Sequence, residues 1–375
     1  MRTLPRRLFN VAVSILALTA LPMLATTTAQ ATATSVDASA KSFVPASDAR
    51  VIYEGRFDRS DPADPAVIWQ ASRIRLDFTG DSIALRFGEA TGQNVFNAEI
   101  DGRATVVTIK EGAAPHDAVL SSLGAGRHHL MVFKRTEAAA GTVHFRGVAL
   151  ATGGEAFAPE PPHYATAMLF IGDSITAAAC NEDGEADQWE DRRTHNNALS
   201  YGAFTAAAFN ADYRNIAVSG MGVVTGWVPM KAGEIWDRVY PRTDSAPARL
   251  SQWTPAVVFV NLGENDDSYT SAKKLPFPSE AYTNGYVELA QAIRRAYPKA
   301  ELVVLRGGMF GGAQSERLRG PWEAAVRHIE AADSHATHFV FTHWSHTHPR
   351  VADHRAMADE LIAWLKSQPF IHARD

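Results

Sequence analysis

Only one cysteine, Cys180, occurs in 375 residues, so no disulfide can close within the chain and its packed cores must hold it together. Long apolar runs are equally scarce. The one near the N-terminus, 11–25, is short for a membrane span, and no later stretch is longer. An excess of basic charge is also missing: 36 lysines and arginines face 41 acids, for a net charge of −5. No electrostatic feature therefore calls for a nucleic-acid partner. No internal repeat is visible, and low complexity is confined to the Thr/Ser/Ala-rich stretch 32–46. Ahead of it, Arg2, Arg6 and Arg7 form a basic region, 11–25 an apolar core, and Ala29-Gln30-Ala31 a cleavage site. Residues 1–31 are thus expected to be a signal peptide and 32–46 a linker, in a chain that is secreted or periplasmic.

What is present falls into two patterns. From 47 to 152 the residues alternate in short runs, as in 74–78, 82–87, 96–100, 128–134 and 142–150. Thr79-Gly80-Asp81, Asp101-Gly102 and Gly124-Ala125-Gly126 supply turns between them. This pattern predicts an all-β sandwich, most simply a jelly roll. A stretch rich in Pro, Gly and Glu, 153–162, marks the boundary. From 163 to 375, apolar runs at 168–171, 213–218, 256–262, 301–305 and 338–341 alternate with helical patterns at 199–209, 280–297, 321–332 and 352–365. That alternation predicts a parallel sheet covered by helices on both faces, a three-layer α/β/α domain.

In such a sheet, ligands bind outside the carboxyl ends of the strands. After the first apolar run stands Gly172-Asp173-Ser174, and after the second Ser219-Gly220-Met221-Gly222. After the third comes Gly263-Glu264-Asn265-Asp266, and after the fifth come His343, His346 and His348. Each group taken singly is ordinary turn or cap chemistry. On one rim they supply a nucleophile, oxyanion donors and a base, which are the parts of acyl transfer.

Gly172-Asp173-Ser174, Gly220, Asn265 and His348-Pro349 resemble the four blocks of the SGNH (GDSL) hydrolases. The β-region is similar to carbohydrate esterase family 2 at Gly55-Arg56-Phe57, Ile100-Asp101-Gly102, Gly126-Arg127-His128-His129 and Phe133-Lys134-Arg135-Thr136-Glu137. The resemblance implies a serine esterase that removes O-acetyl groups from plant cell-wall polysaccharides or oligosaccharides of the xylan or glucomannan type. It implies Ser174 as nucleophile, His348 as general base, and an oxyanion hole made by the Ser174 and Gly220 N–H groups and the Asn265 carboxamide. The wider superfamily has an Asp three residues before the catalytic histidine, where this chain has Ser345. The resemblance therefore implies a Ser–His dyad whose imidazole is oriented by a main-chain carbonyl. A triad would have to recruit an acid from elsewhere, with Glu264, Asp266, Asp267 and Asp353 the nearby candidates.

Other readings stay open at this stage. His343-x-x-His346-x-His348 could bind zinc, but its spacing is longer than a compact H-x-H-x-D-H site, so no metal or cofactor is expected. Trp189, Trp227, Trp236 and Trp344 lie near the rim and could stack on sugar rings, Trp227 and Trp344 foremost. An O-acetylesterase for peptidoglycan or exopolysaccharide would use the same fold, as would a carbohydrate-binding protein with a decayed catalytic domain. The expected partner is an acetylated polysaccharide, not a nucleic acid or a membrane.

Overall fold

The computed structural model describes residues 42–112 and 115–372, so the expected signal peptide and most of the expected linker lie outside the described residues. One sheet of eleven strands, paired antiparallel throughout, forms the β-domain, and a second sheet has five strands. The β-domain is wound on one long strand, Ser82–Ile100. Its first half pairs with His116–Ser121 and Gly141–Leu150, its second with Arg103–Gly112 and Arg127–Lys134. Alternation in the sequence suggested two strands there. Instead the register shifts between Ala90 and Gln93, and the strand changes partners without a turn. Asp101 and Gly102 do make a turn, with φ of 50° and 80°, as a two-residue hairpin requires. Inward side chains such as Phe78, Leu85, Phe87, Phe96 and Phe145 form this domain's core. The sheet starts inside the stretch read as linker: Phe43–Pro45 pairs with Gly141–Leu150 and buries Val44.

The five parallel strands are, in chain order, Thr166–Gly172, Ala211–Ala217, Val257–Asn261, Glu301–Met309 and Ala336–Ser345. They lie in the order second, first, third, fourth, fifth, all parallel. Successive side chains of a strand point to opposite faces, and here both faces are apolar. Met168 and Phe170 pack with Phe259, Tyr201 and Leu361 under the helices Tyr201–Ala208 and Val351–Leu365. Leu169 and Ile171 pack with Val258, Val260, Tyr286 and Ile293 under Ser279–Ala296 and Glu316–Ala332.

The two domains share a core. Ile68, Trp69 and Ala138 of the β-domain belong to the same apolar layer as Ile216, Val218 and Tyr286. The second parallel strand would otherwise be a bare sheet edge, and the β-domain covers it. Gln70 Nε2 donates to Asn215 Oδ1 at 2.7 Å and to the Ala217 carbonyl at 2.9 Å, and Arg73 pairs with Asp212. The β-domain is therefore a wall of the second domain, built into it through buried contacts.

Candidate active site

Ser174 begins a four-residue helix, Ser174–Ala177, directly after the first parallel strand. A Cβ on Gly172 would meet Thr176 Oγ1 at 2.1 Å and the Asn261 carbonyl at 2.8 Å, so this tight exit requires glycine. Asp173 is the N-cap: its Oδ1 accepts the Ile175 N–H at 3.0 Å. Within Gly-Asp-Ser the aspartate thus performs the capping, and the serine hydroxyl is left for other work. The Ser174 N–H is at a helix position that has no intrahelical acceptor.

The Gly220 loop stands beside it. Gly220 has a φ of 82°, which favours glycine, and among the described residues its N–H takes no acceptor in the surrounding loops. Three devices hold this loop. The Asp266 carboxylate accepts the N–H groups of Val223, Val224 and Thr225 at 2.8, 2.9 and 3.0 Å. Burial pushes its pKa up to about 6, against those three donors. From the β-domain, Glu137 Oε2 accepts the Ser219 N–H at 2.6 Å. Asn265 Nδ2 donates to Asp173 Oδ2 at 3.1 Å and to the Met221 carbonyl at 3.0 Å. Ser174, Gly220 and Asn265 are thus brought together. Both Asn265 amide hydrogens already have acceptors, so an oxyanion would have to share one of them.

The imidazole side departs from the dyad expectation. His348 Nδ1 lies 2.7 Å from Asp187 Oδ2, a carboxylate in the loop after the Ser174 helix. Arg350 Nη1 donates to Asp187 Oδ1 at 2.8 Å and to the Cys180 carbonyl at 3.0 Å, tying that loop to the histidine segment. Burial works against the Asp187 carboxylate, but the hydrogen bonds from His348 and Arg350 prevail and hold its pKa well below the usual carboxylate range. Trp189 from the same loop stacks on the imidazole, with ring centroids 5.3 Å apart. With Nδ1–H given to Asp187, Nε2 is left as the acceptor, the tautomer a general base needs.

Among the described residues, neither a main-chain carbonyl nor any acid singled out in the sequence holds this ring. Ser345 Oγ donates to the Thr347 carbonyl at 2.6 Å. Glu264 accepts the N–H groups of Gly311 and Gly312, and Asp267 lies 3.8 Å from Arg317. Asp353 bonds His343 Nε2 and the Arg350 N–H. Among the described residues no hydrogen bond joins Ser174 to His348. Such bonds commonly close only when substrate arrives.

The histidine cluster does not converge on a metal. His343 is taken by Asp353 at 2.8 Å, while His346 packs on Trp344 with centroids 4.7 Å apart. Among the described residues, the one His/Cys/Asp/Glu group close enough to hold an ion is Cys180, Asp187 and His348. There His348 and Asp187 already bond each other, and burial pushes the Cys180 thiol pKa up, away from the thiolate a metal would take. Of the tryptophans, Trp236 is core, 3% exposed. Trp227 is 53% exposed, its N–H on the Gly220 carbonyl and its indole on Ser268 Oγ. Trp344 is partly buried beside the exposed Phe310 at the end of the fifth strand.

Residues 53–161 match the carbohydrate esterase 2 N-terminal domain, and residues 170–372 match the GDSL-like lipase/acylhydrolase family. The chain belongs to carbohydrate esterase family 2 of the SGNH hydrolases. This family 2 chain is 33% identical over 339 residues to the cellulase/esterase CelE of Acetivibrio thermocellus, a match over 85% of the chain and 39% of that larger protein. It is 25% identical to an acetylxylan esterase / glucomannan deacetylase of Cellvibrio japonicus, over 85% of the chain and 89% of the relative. A family two carbohydrate esterase from Clostridium thermocellum, solved in complex with cellohexaose, is 30% identical with a TM-score of 0.75. That match covers 84% of this chain and 98% of the other.

Proposed function

We propose that this chain is an exported carbohydrate acetylesterase that removes O-acetyl groups from plant cell-wall polysaccharides or their oligosaccharides, of the xylan or glucomannan type. The observation that carries the reading is one rim bearing Ser174, the Gly220 amide and a His348 whose Nδ1 is held by Asp187. In this mechanism Ser174 Oγ attacks the acetyl carbonyl while His348 Nε2 takes the serine proton. The Ser174 and Gly220 N–H groups, with Asn265, meet the oxyanion. Collapse expels the sugar hydroxyl, which receives the proton from His348, and leaves acetyl-Ser174. Water, deprotonated by the same imidazole, then releases acetate. Asp187 keeps the ring in its working tautomer and stabilises the imidazolium, so the catalytic set is a Ser174–His348–Asp187 triad.

Trp227 on the Gly220 side and Trp344 on the fifth-strand side would receive sugar rings in this reading, since each combines an apolar face with partial exposure. Support for the substrate class comes from the activities named for the Cellvibrio japonicus and Acetivibrio thermocellus relatives. Acetate release from acetylated xylan, acetylated glucomannan and O-acetylated peptidoglycan, with Ser174→Ala as control, tests it. The expected result is release from the plant polymers that Ser174→Ala loses. Release from peptidoglycan alone would replace the plant substrate with the bacterial one.

A further inference from the structure

We propose that the cleft between the β-domain and the outer side of the second parallel strand is a separate ligand site, for a carboxylated sugar of the uronic-acid class. The cleft has a volume of about 590 Å³ and is walled by residues 53–62, the strand around Arg214, and the segment 239–253. That is the size of a small-molecule site. Its charge runs against that of the molecule. The chain carries a net −5, yet Arg56, Arg59, Arg214 and Arg249 line the cleft against a single carboxylate, Asp58. Asp58 is itself engaged, accepting from Tyr240 OH at 2.9 Å and from the Ser60 N–H at 3.0 Å.

Arg214 is the group whose needs are unmet. Its guanidinium lies over the Trp253 ring at 4.1 Å, and Nη1 reaches the Gly55 carbonyl only at 3.4 Å. Nη2 is 3.8 Å from Asp212, which Arg73 and Trp253 Nε1 already occupy. Nε is buried with no hydrogen-bond partner among the described residues. Arg56 gives Nη1 to the Trp236 and Arg238 carbonyls, which satisfy its hydrogens but not its charge. Burial lowers the pKa of both guanidiniums to about 10, Arg56 being lowered further by Arg214 and Arg214 by Arg73. Two neighbouring cations whose nearest carboxylate, Asp212 at 3.8 Å from Arg214, is shared with Arg73 and Trp253 are costly in a partly buried wall, and an incoming carboxylate would offset that cost. A guanidinium fork binds carboxylate in bidentate fashion.

The choice of a sugar acid rests on the esterase reading above, because acidic plant polysaccharides carry uronic acids as side groups. The remaining space in a cleft of about 590 Å³, with Tyr53 and Trp253 in its walls, suits a pyranose ring rather than a bare anion.

Isothermal titration calorimetry on the full chain tests the site with glucuronate, glucose, acetate and inorganic phosphate as probes. None of them is an ester, so turnover does not intrude. Glucuronate is expected to saturate with an affinity about 10-fold or more above each of the others, as a charge-assisted bidentate contact added to ring packing implies. Arg214→Gln should weaken glucuronate about 10-fold, and the exposed Arg249→Gln about threefold, with 4-nitrophenyl acetate turnover unchanged in both. Glucuronate binding no tighter than glucose, equal binding of acetate or phosphate, or indifference to both substitutions would each overturn the proposal. A wild-type chain that binds glucuronate as described but cannot cleave 4-nitrophenyl acetate would refute the esterase reading and leave the binding site standing.

Discussion

The two sides of the active site are held in different ways. On the oxyanion side the Gly220 loop is fixed from below by buried groups: the Asp266 carboxylate on three amides, Asn265 bridging Asp173 and Met221, and Glu137 on Ser219. On the imidazole side His348 is held from above by a loop at the surface, through Asp187, Arg350 and Trp189. The difference follows from what each side does. Oxyanion donors stabilise charge only if they are already in place, so rigidity in a dry setting serves them. The imidazole gains and loses a proton in each half-reaction, so its partner must stay ionised to stabilise the imidazolium. The β-domain touches both sides, Glu137 on the Ser219 N–H and Gln93 and Arg135 on the loop that carries Asp187, through the Glu190 carbonyl and Glu182; in the proposed mechanism Glu137 would act by positioning.

Four measurements would break or sharpen this contrast. Ser174→Ala, which both sides serve, should lower kcat for a short acetyl ester by about 10⁴-fold or more while circular dichroism stays native. Asn265→Ala should lower kcat by about 10²–10³-fold with KM little changed, because an oxyanion donor acts in the transition state. An unchanged kcat would make Asn265 only a bridge between Asp173 and Met221.

Glu137→Ala removes the acceptor from the Ser219 N–H and should lower kcat about 10-fold or more, with a smaller change in KM, by displacing the Gly220 amide. Glu137→Gln keeps an acceptor oxygen and should restore most of the rate. If both variants match the wild type, Glu137 does not position the site.

The smallest effect concerns Lys134, which is fully buried beside Glu137 and donates to the Ile68 and Gly141 carbonyls at 2.6 Å. Burial lowers its pKa from 10.5 to about 7 in the fold. Between those values the unfolded chain binds the extra proton, so this group makes stability rise with pH from about 7 to about 10.5. Denaturation midpoints across that window should climb less steeply in Lys134→Met than in the wild type, and identical slopes would remove Lys134 from the account.

The oxyanion side was largely legible in the sequence and the imidazole side only half so. Ser174, Gly220 and Asn265 each follow an apolar run directly, and parallel strands bring their ends to one rim. His348 follows the fifth run in the same way. Asp187 does not. It belongs to a loop with no periodicity, 181–191, in which Glu182, Asp183, Glu185, Asp187, Glu190 and Asp191 crowd together. Nothing in their spacing singles out one acid, since only the folded loop decides which carboxylate meets Nδ1. The crowding itself was the available signal, an acidic segment emerging next to the nucleophile. Glu137 was in view as part of Phe133-Lys134-Arg135-Thr136-Glu137, but its partner Ser219 lies 82 residues away, beyond any local pattern. The long strand Ser82–Ile100 read as two because a register shift leaves no turn residues to read.

The central claim, that Asp187 completes a triad with Ser174 and His348, is tested most directly by kcat and KM of Asp187→Asn on a short acetyl ester, with folding verified. The amide keeps the size of the side chain but removes the charge that favours the imidazolium and the preference for Nδ1–H. The account predicts a kcat lower by about 10³–10⁴-fold at nearly unchanged KM, whereas Ser345→Ala stays close to wild type. A folded Asp187→Asn enzyme with kcat within about threefold of the wild type would contradict it and return His348 to a dyad.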